Sequence, residues 1–186
     1  HGESKYIDCL ERTLYNGVIS GMSMDGGRFF YPNPLSSDGK YAFNADNTKT
    51  RQPWFGCACC PSNLCRFIPS VPGYLYGVRD NNIYVNLFAG STSTIKVGGK
   101  DVELEQTTEY PWNGDIEIVV KKNAAKGANL LVRIPGWARG SVVPSDLYSY
   151  SDGKATGYTV TLNGKTLTAY LDANGGYLPV KGIRKG

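Results

Sequence analysis

Long apolar runs are missing from this 186-residue sequence. None approaches the roughly 18 consecutive apolar residues of a membrane-spanning helix, and the opening HGESKYIDCL has no apolar core of a signal peptide. Runs of like charge are missing as well. Twenty lysines and arginines against 16 acids give a net charge of +4, yet no basic run exceeds a pair, so no face is marked for nucleic acid or for a membrane surface. The expectation is a chain with neither partner. Histidine occurs once, at the solvated terminal position His1, and is given no role. Internal repeats and low-complexity tracts are also absent. A disulfide framework is excluded by distribution: of five cysteines, three crowd into Cys57, Cys59 and Cys60, and an adjacent pair has poor bridging geometry. A chain of this length can bury about 70% of its unfolded surface and needs no such staples.

What is present in quantity is glycine (23), tyrosine (13) and proline (10), the composition of short strands joined by turns. The aromatic content fits a sugar-binding surface as well as a packed core. In Lys5–Met22, apolar residues at Tyr6, Ile7, Leu10, Leu14, Val18 and Met22 predict an amphipathic helix. Asp25-Gly26-Gly27 signals a turn, Arg28–Tyr31 a short strand, and residues 32–53 a loop. Pro61 suits the first turn of a second helix, SNLCRFI, which Pro69 and Pro72 should end or kink. From about Tyr74 the period becomes two. Ile83, Val85 and Leu87, then Val102 and Leu104, then Ile116, Ile118 and Val120 alternate with polar or outward residues. Turn signals at Gly98-Gly99, Asn113-Gly114 and Asn163-Gly164, with further strands over 129–134, 158–162 and 177–180, predict a mainly β fold, an antiparallel β-sandwich. Residues 141–157 are polar enough for an insertion loop. Two helices without helical partners look like the tail of a larger helical domain, so the chain is expected to be a piece of a longer protein.

The crowded thiols admit several readings. Zinc binds thiolates at about 2.3 Å in a tetrahedron, but Cys-x-Cys-Cys lacks the paired spacing of structural ribbons. Cys59 and Cys60 fall at the mouth of the helix opened by Pro61, where free N–H groups and the dipole favour a thiolate, as a nucleophile or a metal ligand needs. Small cysteines packed at a helix start are the bland alternative, and for Cys9 and Cys65, on apolar helix faces, packing is the preferred reading.

The segments KYIDCLERTLYNGV, FFYPNPL, WFGCACCPSNLCRFIPSVPGYLY, NIYVNLF, TEYPWNG and LLVRIPGWA, in that order, resemble the second half of glycoside hydrolase family 127, which includes β-L-arabinofuranosidases. The resemblance runs through nearly the whole chain, and its Cys-Cys-Pro-x-Asn and Arg-Ile-Pro-Gly-Trp-Ala motifs are specific. It implies that residues 1–73 are the C-terminal remnant of an (α/α)6 catalytic barrel carrying the Cys-rich loop, and that 74–186 form a β-sandwich domain truncated at its C-terminus. It further implies a zinc ion held by three cysteines and a glutamate, with one cysteine also the nucleophile. By position, Cys59 is that catalytic nucleophile and Cys60 the neighbouring metal ligand. The other ligands, in a Glu-x-Cys motif, and the acid/base glutamate belong upstream of Lys5, in a barrel domain that is this chain's implied partner. Cys57 is a possible substitute ligand.

By the same resemblance Glu11 and Tyr31 contact the carbohydrate substrate, although Glu11 also reads as an exposed helix charge and Tyr31 as core. Trp54 could stack on a sugar or anchor its loop, while Trp112 and Trp137 read as sandwich or interdomain core. Arg66 is assigned to a carboxylate of the upstream barrel. Ile183 stands where the family has an aromatic residue. The implied function is a fragment of a retaining glycosidase, inactive and at most weakly zinc-binding by itself, with self-association through exposed helix faces. The alternatives are a non-catalytic β-sandwich that binds carbohydrate or supports a barrel, and a structural zinc module.

Overall fold

The computed structural model describes residues 2–153, 157–167 and 175–185; His1 and part of the polar loop, 154–156, lie outside them. The chain forms two compact units, one of residues 1–9 and 73–186 and the other of residues 10–72.

In the first unit the expected period-two segments become strands. These are β1 (Tyr76–Arg79), β2 (Asn82–Val85), β3 (Ser91–Val97), β4 (Lys100–Thr108), β5 (Ile116–Asn123), β6 (Asn129–Arg133), β7 (Thr161–Leu162), β8 (Lys165–Thr166) and β9 (Tyr177–Val180). They make a sheet ordered β1-β2-β6-β9, a second ordered β3-β4-β5, and the small β7-β8 hairpin. One core cluster takes Ile83 and Val85 from β2, Leu130 from β6, Val97 from β3, Val102 and Leu104 from β4 and Val120 from β5, so the two sheets share their inner faces. The fold is mainly β, with one departure from the antiparallel expectation: β2 and β6 run parallel. Between them the chain builds the β3-β4-β5 meander and returns as a crossover, which a parallel pair requires.

The Gly98-Gly99 and Asn163-Gly164 signals are tight hairpin turns with both central residues at positive φ, the conformation that matches strand twist. Strands β1 and β3 were not expected. β1 carries Gly77 and runs into a polar turn, while β3, STSTIKV, is mostly Ser and Thr and pairs along its whole length with β4. Ile183 fits without an aromatic: it is buried in the main core, and its N–H donates to the Ala128 carbonyl at 3.0 Å.

On the outer face of the β2-β6-β9 sheet Arg133 is completely buried. Its Nε donates to the Asn86 carbonyl at 2.6 Å and its Nη1 to Asp8 Oδ1 at 2.6 Å. Asp8 stands on helix α1 (Ser4–Arg12), one turn after Ser4, and these two residues share a face. Asp8 Oδ1 also accepts from the Gly136 N–H at 3.2 Å, and Arg139 Nη2 donates to Ser4 Oγ at 3.1 Å. Two glycines make room: a Cβ at Gly136 would lie 2.9 Å from Asp8 Oδ2, and one at Gly176 only 1.7 Å from Ser4 Oγ. The Arg-Ile-Pro-Gly-Trp-Ala motif is thus the seat of the helix's first turns. Its tryptophan stands outside the sandwich core. The 3₁₀ turn Gly136–Arg139 buries Ala138 and leaves Trp137 37% exposed, and Trp112, in the loop between β4 and β5, is 87% exposed.

The second unit is mostly irregular. The helix expected to Met22 is α-helical only to Arg12, then widens into π turns over Thr13–Val18, where Ile19 N–H donates to the Leu14 carbonyl, and tightens to 3₁₀ at Ile19–Gly21. Leu10, Leu14, Val18 and Met22 are four residues apart, a spacing that drifts about 40° per step around an α-helix. Wider turns offset that drift. Arg28–Tyr31 is not a strand; Phe29 bridges Met22 and Gln52 singly before Pro32 and Pro34 end any ladder. Helix α2 (Cys59–Phe67) starts two residues before Pro61 and gives way to a 3₁₀ stretch, Ile68–Tyr74, at the prolines. Cys9 and Cys65 are exposed, not packed. Cys9 is turned well away from the stripe of Ser4, Asp8 and Glu11, and Cys65 lies just outside the arc of Cys60, Pro61, Leu64 and Phe67.

Replacing Arg133 by Met should destabilise this chain by about 3–5 kcal/mol, because the mostly buried Asp8 loses its nearest ionic partner and is left with the Gly136 N–H and the more distant Arg139. Urea unfolding of the two proteins measures it. A loss under about 1 kcal/mol would show that the pair is not what seats the helix.

Candidate active site

Cys59 occupies the first turn of α2, where Ala58 provides no side-chain cap. The turn is held by Ser62 N–H on the Ala58 carbonyl at 3.1 Å, and by Ser62 Oγ and Asn63 Nδ2 on the Cys59 carbonyl at 3.1 and 2.8 Å. Pro61, buried, fixes the backbone angle without spending an N–H. The Ser and Asn of the Cys-Cys-Pro-x-Asn motif therefore shape the turn that presents the sulfur. Cys59 is exposed.

Tyr31 meets it from the other side. Its hydroxyl lies 3.2 Å from Cys59 Sγ and donates to Cys57 Sγ at 3.8 Å, and Cys60 Sγ is 3.7 Å from Cys59 Sγ. The Tyr31 ring packs edge-on against Phe55, centroids 5.6 Å apart, and Phe55 is buried. Phe55, not the exposed Trp54, anchors the loop ahead of the cysteines. The Tyr31 N–H donates to Asn44 Oδ1 at 2.8 Å.

These contacts separate two adjacent thiols chemically. The Tyr31 hydroxyl, helped by the Cys60 thiol, holds Cys59 below the ordinary thiol range. Burial pushes Cys60 up, and the neighbouring Cys59 adds to the rise. Tyr31 is pushed up by its bonds to Cys59 and then to Cys57, so it stays a donor. The arrangement can present one exposed thiolate with a hydroxyl aimed at it.

Of the residues singled out in the sequence, Tyr31, Cys57, Cys59 and Cys60 come together. Glu11 stands on a separate element, α1, and is 6% exposed, so it is not an exposed helix charge. Arg66 Nη2 donates to Asn63 Oδ1, one turn back on α2. Asn44, the support behind Tyr31, had no signal in the sequence beyond a polar residue in a loop. An apolar cavity of about 260 Å³ opens beside Cys60, walled by Val18, Phe29, Phe30, Leu64 and Phe67. Among the described residues no group of three or more His, Cys, Asp or Glu side chains could hold a metal ion. Cys59 and Cys60 fit zinc as half a site, because their 3.7 Å sulfur separation is close to the about 3.8 Å edge of a tetrahedron with 2.3 Å zinc–sulfur bonds.

Comparison with known proteins agrees along the chain. Residues 1–73 match the family described as β-L-arabinofuranosidase, GH127 catalytic domain, and residues 82–185 the one described as its GH127 middle domain. A non-reducing end β-L-arabinofuranosidase of Bifidobacterium longum subsp. longum is 34% identical over 96% of this chain and 25% of its own length. A solved GH127 β-arabinofuranosidase is 52% identical with a TM-score of 0.88, covering all of this chain and 28% of that one. A GH127 β-L-arabinofuranosidase structure from Geobacillus stearothermophilus T6 is 37% identical with a TM-score of 0.80, over all of this chain and 27% of that one. The chain thus spans about a quarter of the length of these relatives. With its middle-domain match alone taking in more than half of the residues, the chain belongs to the GH127 β-L-arabinofuranosidase family.

Proposed function

We propose that the full-length protein is a retaining glycoside hydrolase that cleaves β-L-arabinofuranosides or related sugars, with Cys59 as its nucleophile. The observation that carries this reading is the exposed Cys59 sulfur on the first turn of α2 with the Tyr31 hydroxyl 3.2 Å away. Family membership and the names of the relatives supply the substrate class. In this reading residues 1–73 are the end of an (α/α)6 barrel and 74–186 a supporting β-sandwich.

The chemistry follows from the sulfur. A thiolate lone pair of Cys59 attacks the anomeric carbon as the bond from that carbon to the leaving oxygen breaks, and the oxygen takes a proton from a carboxylic acid upstream of Lys5. Water, giving its proton to the resulting carboxylate, then attacks the same carbon from the face the leaving group vacated. The carbon–sulfur bond breaks and its electron pair returns to Cys59. Two inversions give net retention, with a thiolate in the place of the usual carboxylate nucleophile. Tyr31 keeps a hydrogen bond for the sulfur as its charge returns, and Glu11 and Tyr31 are assigned to the sugar hydroxyls. Cys59 and Cys60, with ligands upstream, would hold a zinc ion, which when bound keeps the sulfur deprotonated at neutral pH. Cys60, raised by burial, needs that metal to become a thiolate.

In the full-length enzyme, Cys59→Ser should lower kcat on an aryl L-arabinofuranoside by about 10³-fold or more. Activity within tenfold of the parent would remove Cys59 from the role. Assayed beside it, the present chain should show no turnover and hold less than one zinc, since two or three thiolates leave the tetrahedron incomplete; turnover, or one tightly held zinc per chain, would place the active site wholly inside it. Thiol titration of the denatured, unreduced protein should find all five cysteines free. A count short by two would mean that the cluster bridges instead of ligating.

A further inference from the structure

Tyr31 reaches Cys59 across 28 positions of sequence from a segment with no sheet to hold it. Backbone bonds hold the two residues before it, Phe29 N–H to the Gln52 carbonyl and Phe30 N–H to the Gly21 carbonyl, each at 2.8 Å. At Tyr31 itself the side chain of Asn44 takes over. It is 5% exposed; its Oδ1 accepts the Tyr31 N–H at 2.8 Å and its Nδ2 donates to the Thr50 carbonyl at 3.0 Å. Asn44 is fixed in turn. Its own N–H donates to the Thr48 carbonyl at 3.0 Å, and Thr48 Oγ1 donates to the Ala45 carbonyl at 3.0 Å, closing a tight loop in which Asp46 and Asn47 both take positive φ. Non-glycine residues pay for that conformation, and two in succession are retained only where the surrounding bonds determine them. The amide of Asn44 thus serves as a one-residue strand, giving Tyr31 an acceptor where no neighbouring chain provides one.

We propose that Asn44 is a positioning residue for the nucleophile, acting through Tyr31: it sets the backbone from which the Tyr31 hydroxyl reaches Cys59 Sγ. The proposal rests on the reading of Cys59 given above and adds the part of the chain that aims its hydrogen-bond donor. Two contacts fix Tyr31 itself, the edge-on packing on Phe55 and the bond to Asn44, and the second extends to Tyr31 the hold that the Phe29 and Phe30 backbone bonds place on the residues before it. A displacement of 1 Å there would open the 3.2 Å contact beyond hydrogen-bonding range.

The test is a double-mutant cycle in the full-length protein with Asn44→Ala, Tyr31→Phe and the pair, read by kcat and KM on an aryl L-arabinofuranoside. Each single variant should lower kcat about tenfold, the scale of one hydrogen bond to a charged group, with KM little changed. The double variant should be no worse than Tyr31→Phe alone, because Asn44 has nothing left to aim. Losses that multiply, or a loss confined to KM, would show a structural role only and overturn the proposal. A second readout is the rate at which iodoacetamide alkylates Cys59 in the zinc-stripped full-length protein at one fixed pH, where the two single variants should slow the reaction by the same factor and the pair by no more. If the parent protein shows no turnover, the proposed reaction fails while the alkylation cycle still decides the role of Asn44. Should Asn44→Ala fail to fold, Asn44→Asp keeps the acceptor for Tyr31 N–H and loses the bond to Thr50, and should retain parent alkylation; slowing equal to that of Tyr31→Phe would overturn the proposal.

Discussion

A guanidinium with no exposure to water has to find its partners inside the protein, and Arg133 finds them on two segments far from it in sequence. The carbonyl of Asn86 follows β2 directly, the ring of Phe88, 5.5 Å from the guanidinium carbon, belongs to the main core two residues on, and the carboxylate of Asp8 belongs to α1. Burying such a charge costs several kcal/mol unless all of it is compensated, so the arrangement is specified tightly or not at all. Asp8 gains from the same site a second donor, Gly136 N–H, and the neighbourhood of Arg139 at 3.6 Å. The absence of side chains at Gly136 and Gly176 is part of the same device, because each would otherwise collide with α1. The first turns of the helix are therefore built as part of the β-sandwich unit, and the sandwich needs them to satisfy its buried arginine.

Legibility in the sequence followed the range of the forces. Alternation over two residues and paired turn residues are local, and β2, β4, β5, β6 and β9 came from them with ends within a few positions. β1 and β3 escaped because their stability comes from pairing with β2 and β4 and not from their own apolar pattern. The π turns of Thr13–Val18 were visible only as a four-residue spacing that an α-helix does not keep on one side. Long-range polar pairs left no trace: Asp8 and Arg133 lie 125 positions apart, and nothing in either segment names the other. Trp112 and Trp137 lie outside the sandwich core for a related reason, since hydrophobic character says what a side chain prefers and not whether its turn faces inward.

The site divides in the same way. The start of α2 and the placement of Cys59 and Cys60 on its first turn follow from proline chemistry and helix ends, both local. Tyr31 came only from its resemblance to a family position, and its contact with Cys59 is a product of the fold. Asn44 lay beyond either route. A loop asparagine carries no sign of what its amide will bond, and here it bonds a backbone 13 positions away. The pattern has a physical reason: a cluster of thiols shows in residue type and spacing, whereas the groups that contact it are ordinary residues whose bonds exist only in three dimensions.

In the proposed reaction sulfur, and not a carboxylate, takes up the sugar. The most direct measurement is intact-protein and peptide mass spectrometry of the full-length enzyme after rapid acid quenching during turnover of an activated aryl L-arabinofuranoside. The account predicts a single pentosyl adduct on the peptide containing Cys59, absent from unreacted enzyme and lost on standing with excess water. An adduct on a carboxylate side chain would contradict it, as would steady turnover with no adduct on Cys59 at any quench time.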